Sequence, residues 1–294
     1  MGKPALTSKD FPPEVLEAFD HYVHGRISRR EFLDRSSRFA LGSSSAAAFL
    51  AALSPNYAQA QDIAEDDPRI VTERLIYPSP QNWDAYIAKP ANASGPLPAV
   101  LVIHENRGRN PYIDDVVRRL AVAGFLAMAP DALTSFGGWP GNDDEGREMQ
   151  AKLDRNEMFE NWVAGVRYLQ SRPDSNGKVG AVGFCYGGGV VNQLAATLPD
   201  LAAGVPYYGG QVPADQAAKI KAPLLIHNAE LDTRILEGQA AYGEALTKAG
   251  VTFEHHVYPG ANHGFHNNST PRFDQAAADL SWERTLAWFD KYLR

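Results

Sequence analysis

The chain has one cysteine, Cys185, in the stretch Gly183-Phe184-Cys185-Tyr186-Gly187, directly after the apolar run KVGAVGF (178–184). The pattern is GxCxG, a nucleophile elbow with sulfur where serine more often stands. A nucleophile on a sharp strand-to-helix turn has a strained backbone. A side chain two residues to either side would meet the neighbouring helix or strand, so glycine is needed at both places. The helix that starts here aims its unpaired N–H groups and positive dipole end at Cys185, which lowers the thiol pKa and favours an oxyanion.

An elbow nucleophile is followed along the chain by an acid and then a histidine. Asp232 stands 47 residues after Cys185 in AELDTRI, and His263 follows 31 residues later in GANHGFH. In these roles His263 accepts the thiol proton and returns one to a leaving group. Asp232 holds the imidazole tautomer and stabilises the imidazolium. The backbone N–H groups of Tyr186 and of Asn106, in the loop after AVLVIHE, are the expected oxyanion hole.

Each residue also has a plainer reading. A lone cysteine can be a small buried hydrophobe, and Asp232 can cap a helix running from Glu237. A glycine-rich turn can cradle a phosphate, but the run 187–189 fits neither GxGxxG nor GxxxxGK[ST]. No cofactor and no metal is expected. There is no CxxC or Cys/His spacing for zinc, and the adjacent His255 and His256 point to opposite faces of a strand. His104 reads as structural and His227 as a core strand residue.

These residues need a frame to bring them together. Strands are expected at 69–77, 84–90, 99–104, 125–129, 178–184, 202–208, 223–228 and 252–258, the first two alternating like an antiparallel edge. Helical patterns lie at 112–123, 144–171, 187–197, 237–249 and 273–293. Strand and helix in alternation imply an α/β fold, a mostly parallel sheet of about eight strands with helices on both faces. Ligands of such sheets bind beyond the carboxyl ends of the strands. His104-Glu105, Cys185, Asp232 and His263 all follow strands. The Gly- and aromatic-rich loop 131–143 is expected to wall the site or act as a lid, with Trp139, Phe136 and Tyr112 as apolar substrate contacts.

Among the 294 residues, 44% are hydrophobic and 21% charged, as in an ordinary globular protein. A formal charge of −7 and the lack of any Lys/Arg stripe argue against nucleic-acid binding and leave a small molecule as the expected partner. The first sixty residues differ from the rest. Arg29 and Arg30 form a pair within SRREFL, an apolar stretch follows from Phe39 to Leu53, and Ala58-Gln59-Ala60 offers a small-x-small cleavage site. That stretch is too short and too diluted to span a membrane. The layout resembles a twin-arginine export signal, which implies a periplasmic protein cleaved before Gln61. The alternative is a cytoplasmic protein with a retained helical extension, because EVLEAFDHYVHG places Val15, Leu16, Phe19, Tyr22 and Val23 at helical spacing. Residues 61–294 read as one domain.

The acid-then-histidine order, GFCYGGG, the HENRG segment and YYGG at 207–210 together resemble the dienelactone hydrolase family of α/β-hydrolases. The resemblance covers residues from about 70 to 294. It implies an ester or lactone hydrolase with a Cys–His–Asp triad and a thioester acyl-enzyme. It also implies that Glu105, the glutamate after the third strand, sits against the cysteine and is displaced by substrate. The sequence departs from the family at its substrate-clamping arginines, since neither APDALTSFGG nor HGFHNN contains one. Arg107 and Arg109, beside Glu105, are the expected substitutes. Two other uses of the scaffold are a periplasmic binder of aromatic or lactone compounds without turnover, and a thiol sensor. The sensor would lack a resolving cysteine.

Overall fold

The computed structural model describes residues 6–40 and 45–294. Eight strands form one sheet: β1 (Ile70–Ile76), β2 (Asp84–Pro90), β3 (Leu97–Ile103), β4 (Leu126–Pro130), β5 (Ser175–Phe184), β6 (Ala203–Tyr207), β7 (Leu224–Ala229) and β8 (Phe253–Tyr258). Their order is β1-β2-β4-β3-β5-β6-β7-β8. β1 and β2 pair antiparallel, as their alternation implies, and β2 pairs antiparallel with β4; every other pairing is parallel. The inner strands are buried along most of their length and read as continuous apolar runs, the pattern of a sheet covered on both faces.

The three N-terminal helices are α1 (Pro13–Val23), α2 (Arg29–Ser36) and α3 (Ala46–Leu53). Those of the α/β unit are α4 (Pro111–Val122), α5 (Asp143–Gln150), α6 (Arg155–Ser171), α7 (Tyr186–Thr197), α8 (Ala214–Ala217), α9 (Thr233–Leu236), α10 (Gln239–Lys248) and α11 (Gln275–Leu293). One face of the sheet packs on α4 and α11 through Ile113, Val117, Trp288 and Phe289. The other packs on α6, α7 and α10 through Trp162, Val166, Val191, Leu194 and Leu246. The pattern at 144–171 divides into α5 and α6. Asp154 supplies the reason, because its carboxylate accepts from the N–H groups of Asn156 and Glu157 and starts a new helix there.

The N-terminal segment folds against this unit. α1, α2 and α3 bury Val15, Phe19, Tyr22, Phe32, Leu50 and Leu53 in a small core of their own. Arg29 and Arg30 are the first two residues of α2, and the letters around them carry a second meaning. Ser28 accepts from the Glu31 N–H, and the Glu31 carboxylate accepts from the Ser28 N–H, which makes S-R-R-E a capping box. Ser28→Ala is expected to lower the stability of this unit by about 1 kcal/mol, read as an earlier unfolding midpoint in urea. Docking runs through Asn106 Nδ2, which donates to the Val23 carbonyl at 2.8 Å, and the Tyr57 hydroxyl, which donates to Asp143 at 2.9 Å. The Asn56 N–H donates to the Ser269 carbonyl at 2.7 Å. The expected export segment includes residues 1–5 and 41–44, which lie outside the described residues. Among the described residues no helix is long and apolar enough to cross a membrane.

Candidate active site

β5 ends at Phe184 and α7 begins at Tyr186, so Cys185 is the whole turn. Its backbone has φ 56° and ψ −113°, in the half of the map that side chains avoid. The turn is held by the Cys185 N–H donating to the Tyr207 carbonyl of β6 at 3.0 Å. Two flanking glycines make it possible. A Cβ at Gly183 would lie 2.2 Å from the Gly187 oxygen, and one at Gly187 would lie 2.3 Å from the Ile103 oxygen. These obstacles are backbone atoms of neighbouring elements and cannot rotate aside. Gly187→Ala is therefore expected to cost at least about 3 kcal/mol of stability, checked by chemical denaturation.

Asp232 and His263 come together as the chain order requires. Asp232 follows β7 and stands at the N-cap position of α9, but its side chain makes no capping bond. Its Oδ2 lies 2.5 Å from His263 Nδ1 instead. His263 Nε2 is buried with no hydrogen-bond partner among the described residues. Cys185 is 8% exposed, His263 6% and Asp232 4%.

Electrostatics favour an ion pair. Burial alone would push the Cys185 thiol up, but the imidazoles of His263 and His24 outweigh it and hold the thiol well below its usual value. Burial opposes charge on His263 as well, yet Asp232 and Cys185 raise its pKa to about 10. Asp232 is lowered: burial works against it, and the charge and hydrogen bond of His263 prevail. The favoured state is a thiolate beside an imidazolium.

Glu105 is buried just past β3. Its carboxylate accepts from Asn267 Nδ2 at 3.1 Å and lies 3.5 Å from Arg107 Nη2. Burial raises its pKa; Arg107 works against the rise and the charge of Cys185 adds to it. The two arginines expected to clamp substrate are otherwise engaged. Arg107 is buried and donates to Asp143 at 2.7 Å. Arg109 lies 2.6 Å from Asp84 and 3.1 Å from Asp114, and donates to the Ala129 carbonyl. Neither guanidinium has a contact with Cys185 or His263. Apart from Glu105 beside Arg107, the acids that hold them are spread from β2 to α5, and no local pattern announces their pairing.

Two other basic residues, Arg272 and Arg234, lie close to the His24–His263 pair. Arg272, four residues beyond the HGFHNN window, is buried with no hydrogen-bond partner for Nε or Nη1 among the described residues, its Nη1 3.9 Å from the Asp20 carboxylate, and lies over the Phe19 ring. Burial lowers its pKa against the opposing charge of Asp20. Arg234 in α9 places Nη2 3.3 Å from His263 Nδ1. The N-terminal helices lie against the loop 131–143. Trp139 stands edge-on to Tyr57 and shares a cavity of about 270 Å³ with Phe19, Tyr22 and Arg107. Phe136 is exposed, and Tyr112 is core, its hydroxyl 2.6 Å from His266 Nδ1. His104 is structural: its Nε2 accepts from the Ala132 N–H. His227 pairs with Tyr258 and Thr285 inside the sheet's packing.

The residue that sequence reasoning missed is His24, at the end of α1. Its Nε2 lies 3.3 Å from Cys185 Sγ. The available signal was the pair Asp20 and His24 four residues apart on a helix end. One donor atom from each of His24, Cys185 and His263 lies within 4.8 Å of the others. Arg234 and Arg272 at the same place suit an anion rather than a metal ion, and no metal is assigned there.

The profile of the dienelactone hydrolase family matches residues 83–293, the strands, turn and loops that carry this geometry. The chain belongs to the dienelactone hydrolase family. A second profile, YqhI-like, matches residues 3–41. An Escherichia coli O157:H7 protein provisionally named carboxymethylenebutenolidase is 32% identical over 242 residues, 77% of this chain and 89% of its own. A protein of E. coli strain K12 named as a hydrolase fragment, YghX, is 56% identical over 105 residues, 35% of this chain and 90% of its own. The crystal structure of a provisionally named dienelactone hydrolase from Klebsiella pneumoniae superposes with a TM-score of 0.69 at 30% identity, over 76% of this chain and 99% of its own. The eight-stranded sheet is thus the α/β-hydrolase sheet of this family.

Proposed function

We propose that the protein hydrolyses an ester or lactone of a small molecule through a thioester on Cys185. The observation that carries this is a cysteine on a strained strand-to-helix turn, with its thiol held low by a histidine that an aspartate orients. The Cys185 thiolate attacks the carbonyl carbon. The oxyanion is received by the N–H of Tyr186, which as the first helical residue of α7 has no intrahelical acceptor, together with that of Asn106. His263 protonates the leaving oxygen, then takes a proton from water as the thioester is hydrolysed. Glu105, buried and with its pKa raised by burial, is the carboxylate that substrate displaces. Arg272 and Arg234 supply positive charge for an anionic group on the substrate.

A panel of activated esters and lactones, with and without a carboxylate, tests the reading. Turnover of several members supports hydrolysis, and preference for the carboxylate-bearing ones supports the arginine assignment. Tight binding without turnover of any member contradicts the proposal and favours the non-catalytic binder.

The ion pair also sets the pH response. The active thiolate exists above the depressed thiol pKa, and the imidazolium exists below about 10. kcat/KM is therefore expected to be level through neutral pH, falling only in acid and above about pH 10. An acid limb near the ordinary thiol value of about 8.5 would show that no such pair exists.

We further take residues 6–60 as a retained part of the enzyme rather than a cleaved signal. The buried core of α1–α3 and their hydrogen bonds to the site support this. Intact mass of the native protein is expected to give a start at Met1 or Gly2, and a start at Gln61 would instead support export.

A further inference from the structure

The triad accounts for one imidazole beside Cys185, and the structure holds two. His24 Nε2 stands 3.3 Å from Sγ, while its Nδ1 lies 2.7 Å from the Asp20 carbonyl oxygen and 3.2 Å from the Asp20 carboxylate. This repeats, from a distant part of the chain, the arrangement of His263 on Asp232. The two rings meet edge to face with centroids 4.6 Å apart. Because the partners of Nδ1 are acceptors, that nitrogen carries a hydrogen, and a protonated ring then presents Nε2–H to the sulfur. The His24 side chain is 13% exposed, so the contact is largely shielded from water.

We propose that His24 is a catalytic residue, contributed by the N-terminal helices, whose Nε2–H holds the Cys185 sulfur as a thiolate at rest and when it leaves the thioester. This rests on Cys185 being the nucleophile. In acylation the S–C bond forms, the bond from the acyl carbon to the leaving oxygen breaks, and that oxygen takes its proton from His263. In deacylation water adds to the acyl carbon and gives a proton to His263. The S–C bond then breaks with its electron pair on sulfur, facing His24, and the product leaves as the carboxylic acid. No net proton passes through His24. Its contribution is a fixed donor where negative charge returns.

The charges around the ring are mixed. Cys185 and Asp20 favour its protonation. His263, Arg234 (Nη2 3.3 Å from Nε2) and Arg272 (3.9 Å from Asp20) oppose it. Burial also opposes it, and Cys185 and Asp20 prevail, so the His24 pKa is raised.

The sole cysteine makes a direct test available. The pH dependence of Cys185 alkylation by iodoacetamide is measured in full-length wild type, His24→Ala, His24→Gln and Asp20→Asn, with circular dichroism confirming the fold of each. Loss of a cation this close is expected to move the alkylation midpoint upward by about one to three pH units in the His24 variants. Asp20→Asn is expected to move it in the same direction and less far. kcat is expected to fall with KM little changed, and free imidazole to restore part of the kcat of His24→Ala. Unchanged midpoints with faster alkylation and higher kcat/KM would overturn the proposal and make α1 a cover only. Alkylation does not require turnover. Activity retained after Cys185→Ala would therefore refute the nucleophile while leaving the His24 contact separately readable.

Discussion

Cys185→Ala is expected to reduce hydrolysis of an activated ester by at least about 10³-fold while leaving the protein folded. The fold is spared because alanine carries the same Cβ through the same φ of 56°, and a small side chain fits where Cys185 is 8% exposed. Activity is lost because no other thiol exists in the chain to attack the carbonyl. Cys185→Ser is the sharper companion. Two imidazoles stabilise a thiolate here, and a serine hydroxyl ionises too weakly to profit from them, so the serine variant is also expected to be severely impaired. Steady-state rates with matched circular dichroism spectra decide both. Undiminished turnover by a folded alanine variant would remove Cys185 from the chemistry.

Asp232→Asn is expected to lower kcat/KM by about 10² to 10⁴-fold. The 2.5 Å contact with His263 Nδ1 does two jobs, fixing the tautomer and, together with the charge of Cys185, raising the imidazolium pKa to about 10. An amide removes the charge and can present an N–H to Nδ1, which turns the ring's proton to the wrong nitrogen. The sign of the pH effect follows. With the anion gone His263 binds its proton less tightly, so the basic limb of the rate profile moves down from about 10 toward the ordinary histidine value of about 6.5. A variant whose activity falls without movement of that limb would mean that Asp232 merely holds the loop in place.

The α/β unit was legible in the sequence because its signals are local. Continuous apolar runs mark strands covered on both faces, and glycines at 183 and 187 mark a turn whose neighbours are backbone atoms at 2.2 and 2.3 Å. The order of Cys185, Asp232 and His263 then follows from where the strands end. What escaped the reading depends on contacts between distant segments. His24 reaches Cys185 across 161 residues, and nothing in its own helix points to a thiol. Arg272 sits in the irregular stretch after His263, past the short window in which a cation was sought. Arg107 and Arg109 looked available because the acids that neutralise them, Asp143, Asp84 and Asp114, come from three separate elements. The segment SRREFL shows how one string supports two readings. Its arginine pair suggests export, while its serine and glutamate close a capping box, and the second reading becomes visible only once Phe32 and Leu50 are seen buried in a shared core.

The N-terminal helices also alter how access to the site is understood. The loop 131–143 was expected as a wall or a lid, yet the side chain against Cys185 is His24 at the end of α1, with Asp20, Arg234 and Arg272 arranged about it. His24 stands 3.3 Å from the sulfur.

The central claim, a covalent acyl group on Cys185, is tested most directly by intact-protein and peptide mass spectrometry after rapid mixing with an activated acetate ester and quenching in acid. The account predicts one added acetyl group on the peptide containing Cys185, accumulating within the first turnover in the wild type and absent from Cys185→Ala. Turnover with no acyl-enzyme at any quench time, or an acetyl group essential to turnover on a different residue, would contradict it.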